Sequence, residues 1–296
     1  MLRYGLAQLN RLRAVVLLAG SVRANHLRKQ TGRRALEMPV TDRHTVFDGW
    51  REQLLALAER LGVDRLPVRV MVDQASRTDT LSRSHGPIEL TIESDPLDFR
   101  GTGGLLSDIA ADYDDDDLLL VGHASQVLFE PLTVLAATVA GSSDDVALVC
   151  GRDGTPGGLM LVRCGCLRSV NRVGYIDLNE QALPAIAGTH DVRVVRYDRP
   201  VTRSVRTLHG YVAALRQFHL DQCPPADANR PEVWQSSFAI VEPGAKVHPT
   251  ALLHDTVVLD GGRVEADAVV VRSVVCRDGV VPIAGNATDR VVSRRP

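Results

Sequence analysis

A histidine lies at the position where this sequence most clearly predicts chemistry. The apolar run at residues 118–121 has the length and composition of a buried strand, and Gly122 and His123 follow it directly. In α/β proteins that handle phosphates, the edge of the sheet just beyond such a strand is a natural place for a metal-binding carboxylate. An imidazole there favours a packed or hydrogen-bonded residue over a Mg²⁺ ligand, because Mg²⁺ prefers hard oxygen ligands.

Two other groups of residues could bind a metal, and neither pattern is sufficient by itself. The aspartates at residues 114–117 lie at the start of the same strand, away from the expected ligand site, where a solvated turn is the simpler interpretation. Cys164 and Cys166 are two residues apart and would share one face of a strand. A metal site would need further ligands nearby, so we interpret both as buried thiols.

The elements that position these residues alternate between strand and helix. Residues 47–62 place apolar side chains on one helical stripe and end at Gly62, a good helix C-cap. A glycine turn at residues 101–104 precedes a helix at about residues 105–112, whereas residues 21–34 lack periodicity and predict a long loop. This alternation predicts an α/β domain with a mostly parallel, covered sheet. The predicted strands are residues 14–18, 66–72, 88–93, 118–121, 146–150, 159–164 and 192–197.

The last part of the chain follows a six-residue pattern. Aliphatic residues recur every six positions from Val241 to Leu259, and after a slip of one at the Gly261-Gly262 turn the spacing resumes from Val264 to Cys276. A six-residue period with inward aliphatic corners is typical of a parallel β-helix, in which each coil stacks on the last. The pattern predicts a little more than two triangular coils.

The domain organisation follows from these patterns. A stretch rich in proline and polar residues separates the two textures and predicts a linker. We therefore expect an α/β domain at residues 1–222, a linker at 223–238, a β-helix at 239–285 and a tail at 286–296.

Composition and charge exclude several function classes. The net charge of −2 and the pI of about 6.5 give no basic footprint, so we expect no nucleic-acid partner and no membrane partner. Arginines before the apolar run at residues 14–18 imitate a secretory signal, but the short run and the turn after it favour a buried first strand. Five cysteines without framework spacing favour a reduced, cytoplasmic protein.

Three stretches point to one enzyme family. They are EMPV at residues 37–40, ESDPLDFRGTGGLL at residues 93–106, and the hexad tail containing VVRSVV. Together they resemble the sugar-1-phosphate nucleotidyltransferases, especially the mannose-1-phosphate guanylyltransferases. The resemblance implies a Rossmann-like, mostly parallel sheet followed by a short left-handed β-helix that mediates assembly or regulation. It also implies an enzyme that joins a nucleoside triphosphate to a sugar phosphate and releases pyrophosphate.

The resemblance assigns the phosphate loop to the residues after the first strand. The family has Leu-Ala-Gly-Gly-x-Gly-Thr-Arg and later Pro-Lys, whereas this chain has one glycine where three are expected. Gly20 and Ser21 would contact the nucleotide, Arg23 would correspond to the catalytic arginine, and Arg34 would replace the lysine. An arginine still holds phosphate oxygens, but the missing glycines crowd the approach of backbone amides to the triphosphate.

Two further segments are assigned to the ligand by the same resemblance. Residues 101–104 match the glycine-rich turn that faces the nucleobase, where backbone without side chains can approach a flat ring. Residues 156–159 resemble the turn below the sugar, and residues 175–187 resemble the stretch with an acid before Leu-Pro. Loop glycines and a solvated helix start remain the alternatives. The residues expected to contact ligand are Gly101, Thr102, Gly103, Gly104, Gly158 and Glu180.

The two metal-binding aspartates of the family are absent from the matching positions. His123 replaces one, and the other would fall near Ser204. One imidazole and one hydroxyl are a poor substitute for two charges around Mg²⁺. Losing the cation would remove several kcal/mol of charge stabilisation from the transfer reaction.

Three hypotheses for function follow. The first is a protein that binds a nucleoside triphosphate or nucleotide sugar, needs no cofactor, and works as a regulatory or partner subunit through the β-helix, with itself or a sister nucleotidyltransferase. The second is an active sugar-1-phosphate nucleotidyltransferase with Mg²⁺ and a rearranged site using Asp98 or Asp108. The third, an acyltransferase using His248 or His254 on the β-helix, is disfavoured because two coils offer little wall for an acyl donor. Loss of the carboxylates favours the first.

Overall fold

The computed structural model of this protein describes residues 5, 7–20, 26–72, 86–94, 100–170, 174–222 and 237–294. The chain forms two compact units, each made from separate segments. Unit 1 comprises Met1–Arg23, Trp50–Ala124 and Glu130–Val201, and unit 2 comprises Ala24–Gly49, Ser125–Phe129 and Thr202–Pro296. The division differs from the expected boundary at residue 222, because unit 2 takes up two segments from within the first 200 residues.

Unit 1 is built on a seven-stranded sheet. Its strands are β1 (Leu12–Leu18), β2 (Leu66–Val72), β3 (Ile88–Ser94), β4 (Leu118–His123), β6 (Val146–Gly151), β7 (Pro156–Arg163) and β8 (Val192–Tyr197); β5 (Gln126–Leu128) belongs to unit 2. The strand order is β3-β2-β1-β4-β7-β6-β8. β7 is antiparallel to β4 and β6, and the other neighbouring pairs are parallel. The prediction of a mostly parallel α/β sheet is confirmed.

The helices follow the strands as the sequence pattern indicates. They are α1 (His26–Thr31), α2 (Val46–Leu61), α3 (Gly101–Ala110), α4 (Leu132–Val139), α5 (Cys164–Arg168), α6 (Leu183–Ala187) and α7 (Leu208–Gln222). In α2, Trp50, Leu54 and Leu57 are at most 2% exposed and form the expected buried stripe. Gly62 ends this helix with φ +66°, which confirms the predicted C-cap.

Three local predictions are corrected. Residues 26–31 form α1 and not part of a loop; Leu27, 1% exposed, is its one buried residue, too little to give a periodic signal. The helix predicted at residues 105–112 is α3, which begins four residues earlier, at Gly101. Cys164 and Cys166 lie in α5, because β7 already ends at Arg163.

The core of unit 1 explains why β1 is apolar from Ala14 to Leu18. All residues from 14 to 18 are 5% exposed or less. A strand in the middle of a parallel sheet is covered on both faces, so it lacks the polar alternation of a half-buried strand. No described helix is both long and apolar enough to cross a membrane.

Unit 2 contains a parallel β-helix. Its strands are β10 (Ala239–Val241), β11 (Lys246–Val247), β12 (Leu252–His254), β13 (Thr256–Val258), β14 (Arg263–Val264), β15 (Val269–Val271), β16 (Val274–Val275), β17 (Val280–Val281), β18 (Asn286–Thr288) and β19 (Val291–Val292). They stack as three parallel sheets, β10-β13-β16-β19, β11-β14-β17 and β12-β15-β18. The remaining described strand, β9 (Thr202–Ser204), pairs with β5.

The coil repeat is seventeen residues and not eighteen. Val241 pairs with Val258, and Val258 with Val275, each seventeen residues later. The inward column therefore contains Val258 and Val275, and not Leu259 and Cys276 as the six-residue count predicted. One step of each coil is five residues long, so the expected single slip at the Gly261-Gly262 turn is wrong.

The corner of the short step has a left-handed backbone, as do other corners of the coil. The residues at that corner are Asp255, Arg272 and Asp289, with φ values of 50°, 45° and 52°. A left-handed backbone conformation turns the chain sharply, and it is unusual for residues other than glycine, asparagine or aspartate. The coil also continues beyond residue 285 through β18 and β19, giving three full coils and the first strand of a fourth.

Candidate functional site

Two residues expected to contact ligand, and one expected lost metal position, lie at one edge of the sheet of unit 1. Leu18 is the register partner of His123, and Gly20 follows two residues beyond Leu18. Gly122 is the partner of Leu159, so Gly158, the third residue of β7, lies beside the end of β4. The structure thus brings Gly20, His123 and Gly158 together at what we call the carboxyl edge, where β1 and β4 end. Ligands of open α/β sheets bind outside this end of the strands.

Two backbone N–H groups that follow β1 form hydrogen bonds within the protein. The N–H groups of Ala19 and Gly20 both donate to the carbonyl oxygen of Met71, at 2.9 and 2.8 Å. The N–H of Gly20 is therefore engaged and does not point at an added phosphate. Ser21 and Arg23, the other predicted residues of this loop, lie outside the described residues.

Packing explains the glycine before His123. A Cβ at Gly122 would lie 2.9 Å from Cη2 of Trp50, which is 2% exposed. The strand accommodates the indole only because this position has no side chain. His123 itself is half-buried at the end of β4.

The glycines at the start of α3 also have a structural role. Gly101 has φ +69°, and a Cβ there would lie 2.3 Å from the carbonyl oxygen of Ile176. Gly103 donates its N–H to the same oxygen at 2.9 Å, and its Cβ would lie 2.9 Å from Cγ2 of Ile176. Gly104 is buried as well. These residues let α3 pack closely against the segment at Ile176, and their contact with a nucleobase stays a prediction.

The same contact positions the segment assigned to the sugar. The Oγ1 of Thr102 accepts a hydrogen bond from the N–H of Leu178 at 3.1 Å. Asp177 caps the short helix Leu178–Ala182 by accepting from the N–H groups of Asn179 and Glu180, at 2.8 and 3.0 Å. Glu180 is exposed in this helix, so its carboxylate is open to solvent and to a ligand.

Arg34 and Ser204 belong to unit 2. The Arg34 guanidinium lies 3.7 Å from the Glu37 carboxylate, and the Arg34 N–H donates to the same carboxylate at 3.1 Å. Ser204, exposed at the end of β9, accepts from the N–H of Arg206 at 3.4 Å through its Oγ. The sequence pattern does not indicate this division between units.

The donors that the resemblance assigns to Mg²⁺ do not fit that ion. His123 offers an imidazole nitrogen and Ser204 a hydroxyl, and neither carries a negative charge. Asp108, proposed as a replacement, lies near the C-terminal end of α3 and forms an ion pair with Arg100, the N-cap of this helix; Asp98 lies outside the described residues. No step of a metal-dependent reaction can be derived from these donors.

The fold of this chain is similar to that of solved protein structures. The crystal structure of HddC from Yersinia pseudotuberculosis is 13% identical, covers 70% of this chain and 100% of its own, and superposes with a TM-score of 0.52. This chain has a nucleotidyltransferase-like fold. The homologue of Mycobacterium tuberculosis Rv0371c from Mycobacterium sp. strain JC1 is 20% identical, with 71% and 98% coverage and a TM-score of 0.48. No protein-family model and no curated protein matches the chain.

The opposite edge of the same sheet contains a cluster that the sequence pattern does not reveal. Asp145, Cys166 and His190 each offer a ligand atom, and these atoms all lie within 4.8 Å of one another. Among the described residues this is the one such group of three. Only Cys166 had a sequence signal, because the other two lie 21 and 24 residues away from it along the chain.

The aspartates at residues 114–117 are also more than a solvated turn. Asp117 is 7% exposed and accepts from the Nε of Arg13 at 2.8 Å. Asp116 and Asp115 form ion pairs with Arg163 and Arg168. The run therefore ties the start of β4 to β1 and to the end of β7.

Burial makes the two neighbouring thiols unreactive. Burial, reinforced by Asp117, raises the pKa of Cys164 to about 12, and burial, reinforced by Asp145, raises the pKa of Cys166 to about 11. Burial also raises the pKa of Cys276 in unit 2 to about 11. The thiolate is the reactive form, so these cysteines are poor nucleophiles in the folded protein.

We expect alkylation of the native chain at about pH 8 to spare Cys164, Cys166 and Cys276 until denaturant is added. The folded state keeps the thiols neutral, whereas the unfolded chain ionises them near the ordinary pKa of 9.0. Stability is therefore fully retained below about pH 9 and declines as the pH rises towards the folded-state values. Peptide mapping after alkylation measures the protection of the thiols. Chemical denaturation at several pH values measures the change in the free energy of unfolding. Rapid native labelling of these thiols would contradict the prediction.

Proposed function

We propose that unit 1 binds a nucleoside triphosphate or nucleotide sugar at the carboxyl edge, and that the chain is a catalytically impaired, regulatory or partner subunit in sugar-nucleotide metabolism. The observation that carries this proposal is His123 at the end of β4, where the resemblance expects a metal-binding aspartate. The nucleotidyltransferase-like fold supplies the ligand-binding edge. Fold by itself does not imply function, so the proposal depends on the site residues.

The absence of metal-binding carboxylates should weaken nucleotidyl transfer more than it weakens nucleotide binding. Nucleotidyl transfer develops negative charge around the α-phosphorus, and a divalent cation neutralises it with a contribution of several kcal/mol. Binding a nucleotide depends less on that cation, because the extra negative charge develops only in the transition state of the transfer reaction. The second hypothesis, an active enzyme with Asp108 as a replacement ligand, loses support because Asp108 is paired with Arg100.

Exposed apolar side chains on the β-helix support the proposal that this chain acts as a subunit of an assembly. Leu252 and Ile283 on the coil are 65% and 70% exposed, and a partner packed on the coil would remove this apolar surface from water. We infer assembly through this coil, with a second copy or with a sister nucleotidyltransferase subunit. The site is then completed or regulated in the assembly.

The proposal predicts binding without turnover. Nucleoside triphosphates or nucleotide sugars at about 100 times their Kd should raise the free energy of unfolding by about 2.7 kcal/mol and so raise Tm. The same mixtures with mannose- or glucose-1-phosphate and Mg²⁺ or Mn²⁺ should release no pyrophosphate above background. Thermal shift and a pyrophosphate assay test the two parts separately.

Matched variants identify the site. Glu180→Gln should reduce the shift with nucleotide sugars, whereas Glu59→Gln, an equally exposed change on α2, should leave it unchanged. Pyrophosphate release that Arg23→Ala abolishes would show an active enzyme and overturn the impaired-subunit proposal. Absence of any thermal shift across the nucleotide set would overturn the binding proposal.

A further inference from the structure

The cluster Asp145, Cys166 and His190 lies at the amino edge of the sheet in unit 1, opposite the carboxyl edge. Asp145 directly precedes β6, and His190 lies two residues before β8. Cys166 is in α5, which follows the end of β7. β6 and β8 are parallel and β7 is antiparallel to β6, so their starts and the end of β7 meet at the same edge. Topology therefore brings together three residues that are distant in sequence.

Hydrogen bonds fix two of the three residues in place. The N–H of Asp145 donates to the carbonyl of Asp191 at 3.0 Å, and the N–H of Asp191 returns a bond to Oδ2 of Asp145 at 3.2 Å. The N–H of His190 donates to the carbonyl of Ile186 at 2.8 Å. The Nδ1 of His190 lies 3.6 Å from the Oδ2 of Asp145, a separation suited to two ligands of one ion at about 2.0–2.1 Å each.

Charge and burial suit a cation at this place. Arg163 lies 3.1 Å from Oδ1 of Asp145 and also pairs at 2.8 Å with Asp116, so its charge is shared between two carboxylates. This contact orients the carboxylate from outside the cluster, as outer partners of metal ligands commonly do. Cys166 is 1% exposed, whereas the side chains of Asp145 and His190 are 26% and 30% exposed. The ion and a water molecule can therefore enter from the Asp-His side.

We propose that Asp145, Cys166 and His190 form a zinc site with a water molecule as the fourth ligand. A sulfur, an imidazole nitrogen and one carboxylate oxygen are the ligand set of Zn²⁺ and are unsuited to Mg²⁺. Binding transfers the thiol proton to solvent as the Zn–S bond forms, with no change of oxidation state. The site joins α5 to the starts of β6 and β8, and so stabilises the edge of the sheet. It does not depend on the proposed nucleotide binding.

Cobalt substitution tests the site directly. The untagged full chain, treated with a chelator and titrated with Co²⁺, should bind one ion and show the near-ultraviolet absorption of a thiolate-to-Co²⁺ charge transfer. Cys166→Ser should remove this band. Cys164→Ser is the matched control, since Cys164 is equally buried two residues away but is not a ligand, and it should keep the band.

A second variant separates metal binding from folding. His190→Gln should weaken Co²⁺ and Zn²⁺ binding at least about tenfold and abolish the rise of Tm with Zn²⁺, while Tm without metal stays close to that of the unaltered chain. Absence of the band in the unaltered chain, its persistence in Cys166→Ser, or an unchanged Zn²⁺ affinity in His190→Gln would each overturn the proposal. A shift in Tm with Zn²⁺ that survives in both variants would show binding elsewhere and would also overturn it.

Discussion

Gly101→Ala should destabilise unit 1 by roughly 3 kcal/mol or more, because two effects add. A left-handed backbone costs a residue with a side chain about 1–2 kcal/mol, and Gly101 has φ +69°. The new Cβ would also lie 2.3 Å from the carbonyl oxygen of Ile176, which is backbone and cannot rotate away. Relieving this overlap requires α3 to separate from the segment at Ile176. Chemical denaturation monitored by circular dichroism measures the loss.

Gly62→Ala is the control for the backbone effect. Gly62 has φ +66°, and a Cβ there meets nothing within 4 Å. This variant should lose only about 1 kcal/mol, so the difference between the two variants isolates the overlap with Ile176. Equal losses would show that the contact with Ile176 is unimportant. The comparison also has a functional consequence, because the displaced segment includes Glu180.

Arg216→Met should destabilise unit 2 by about 3–5 kcal/mol, the usual effect of leaving a buried carboxylate without its partner. The Asp255 side chain is fully buried, and the Nε of Arg216 donates to it at 2.8 Å. The other contacts of this carboxylate are longer: the N–H of Phe238 donates to it at 3.4 Å, and the Nε2 of His254 lies 3.4 Å from Oδ2. This ion pair joins α7 to the short corner of the β-helix. Urea denaturation of the full chain measures the effect.

Two further variants test whether the stability loss in Arg216→Met comes from the buried Asp255 charge or from lost packing of the arginine side chain. Arg277→Met removes an exposed partner of Asp260, with side chains 75% and 43% exposed, and should lose less than about 1 kcal/mol. Adding Asp255→Asn to Arg216→Met should recover part of the stability, because it removes the uncompensated charge and asparagine tolerates the φ of 50°. No recovery in the double variant would contradict a role for the buried charge.

The sequence determined those features that depend on local periodicity. The apolar run of β1, the stripe of α2 and the glycine after it predicted their elements closely, because burial on one or both faces leaves a direct pattern in the residue types. The six-residue recurrence after residue 238 predicted a parallel β-helix for the same reason. The absence of a carboxylate after Gly122 was also evident from the sequence, and the structure adds that Trp50 packs against this glycine.

Only the tertiary structure decided the features that depend on where distant segments meet. The seventeen-residue coil is visible only in the strand pairing, in which Val241 pairs with Val258 and Val258 with Val275. The glycines of α3 resembled a ligand-binding turn, yet Gly101 and Gly103 pack against Ile176, more than 70 residues away. Asp145, Cys166 and His190 likewise converge because strand order places three chain segments at one edge. Side chains along one segment reveal which face is buried, whereas contacts between segments are set by the topology of the sheet.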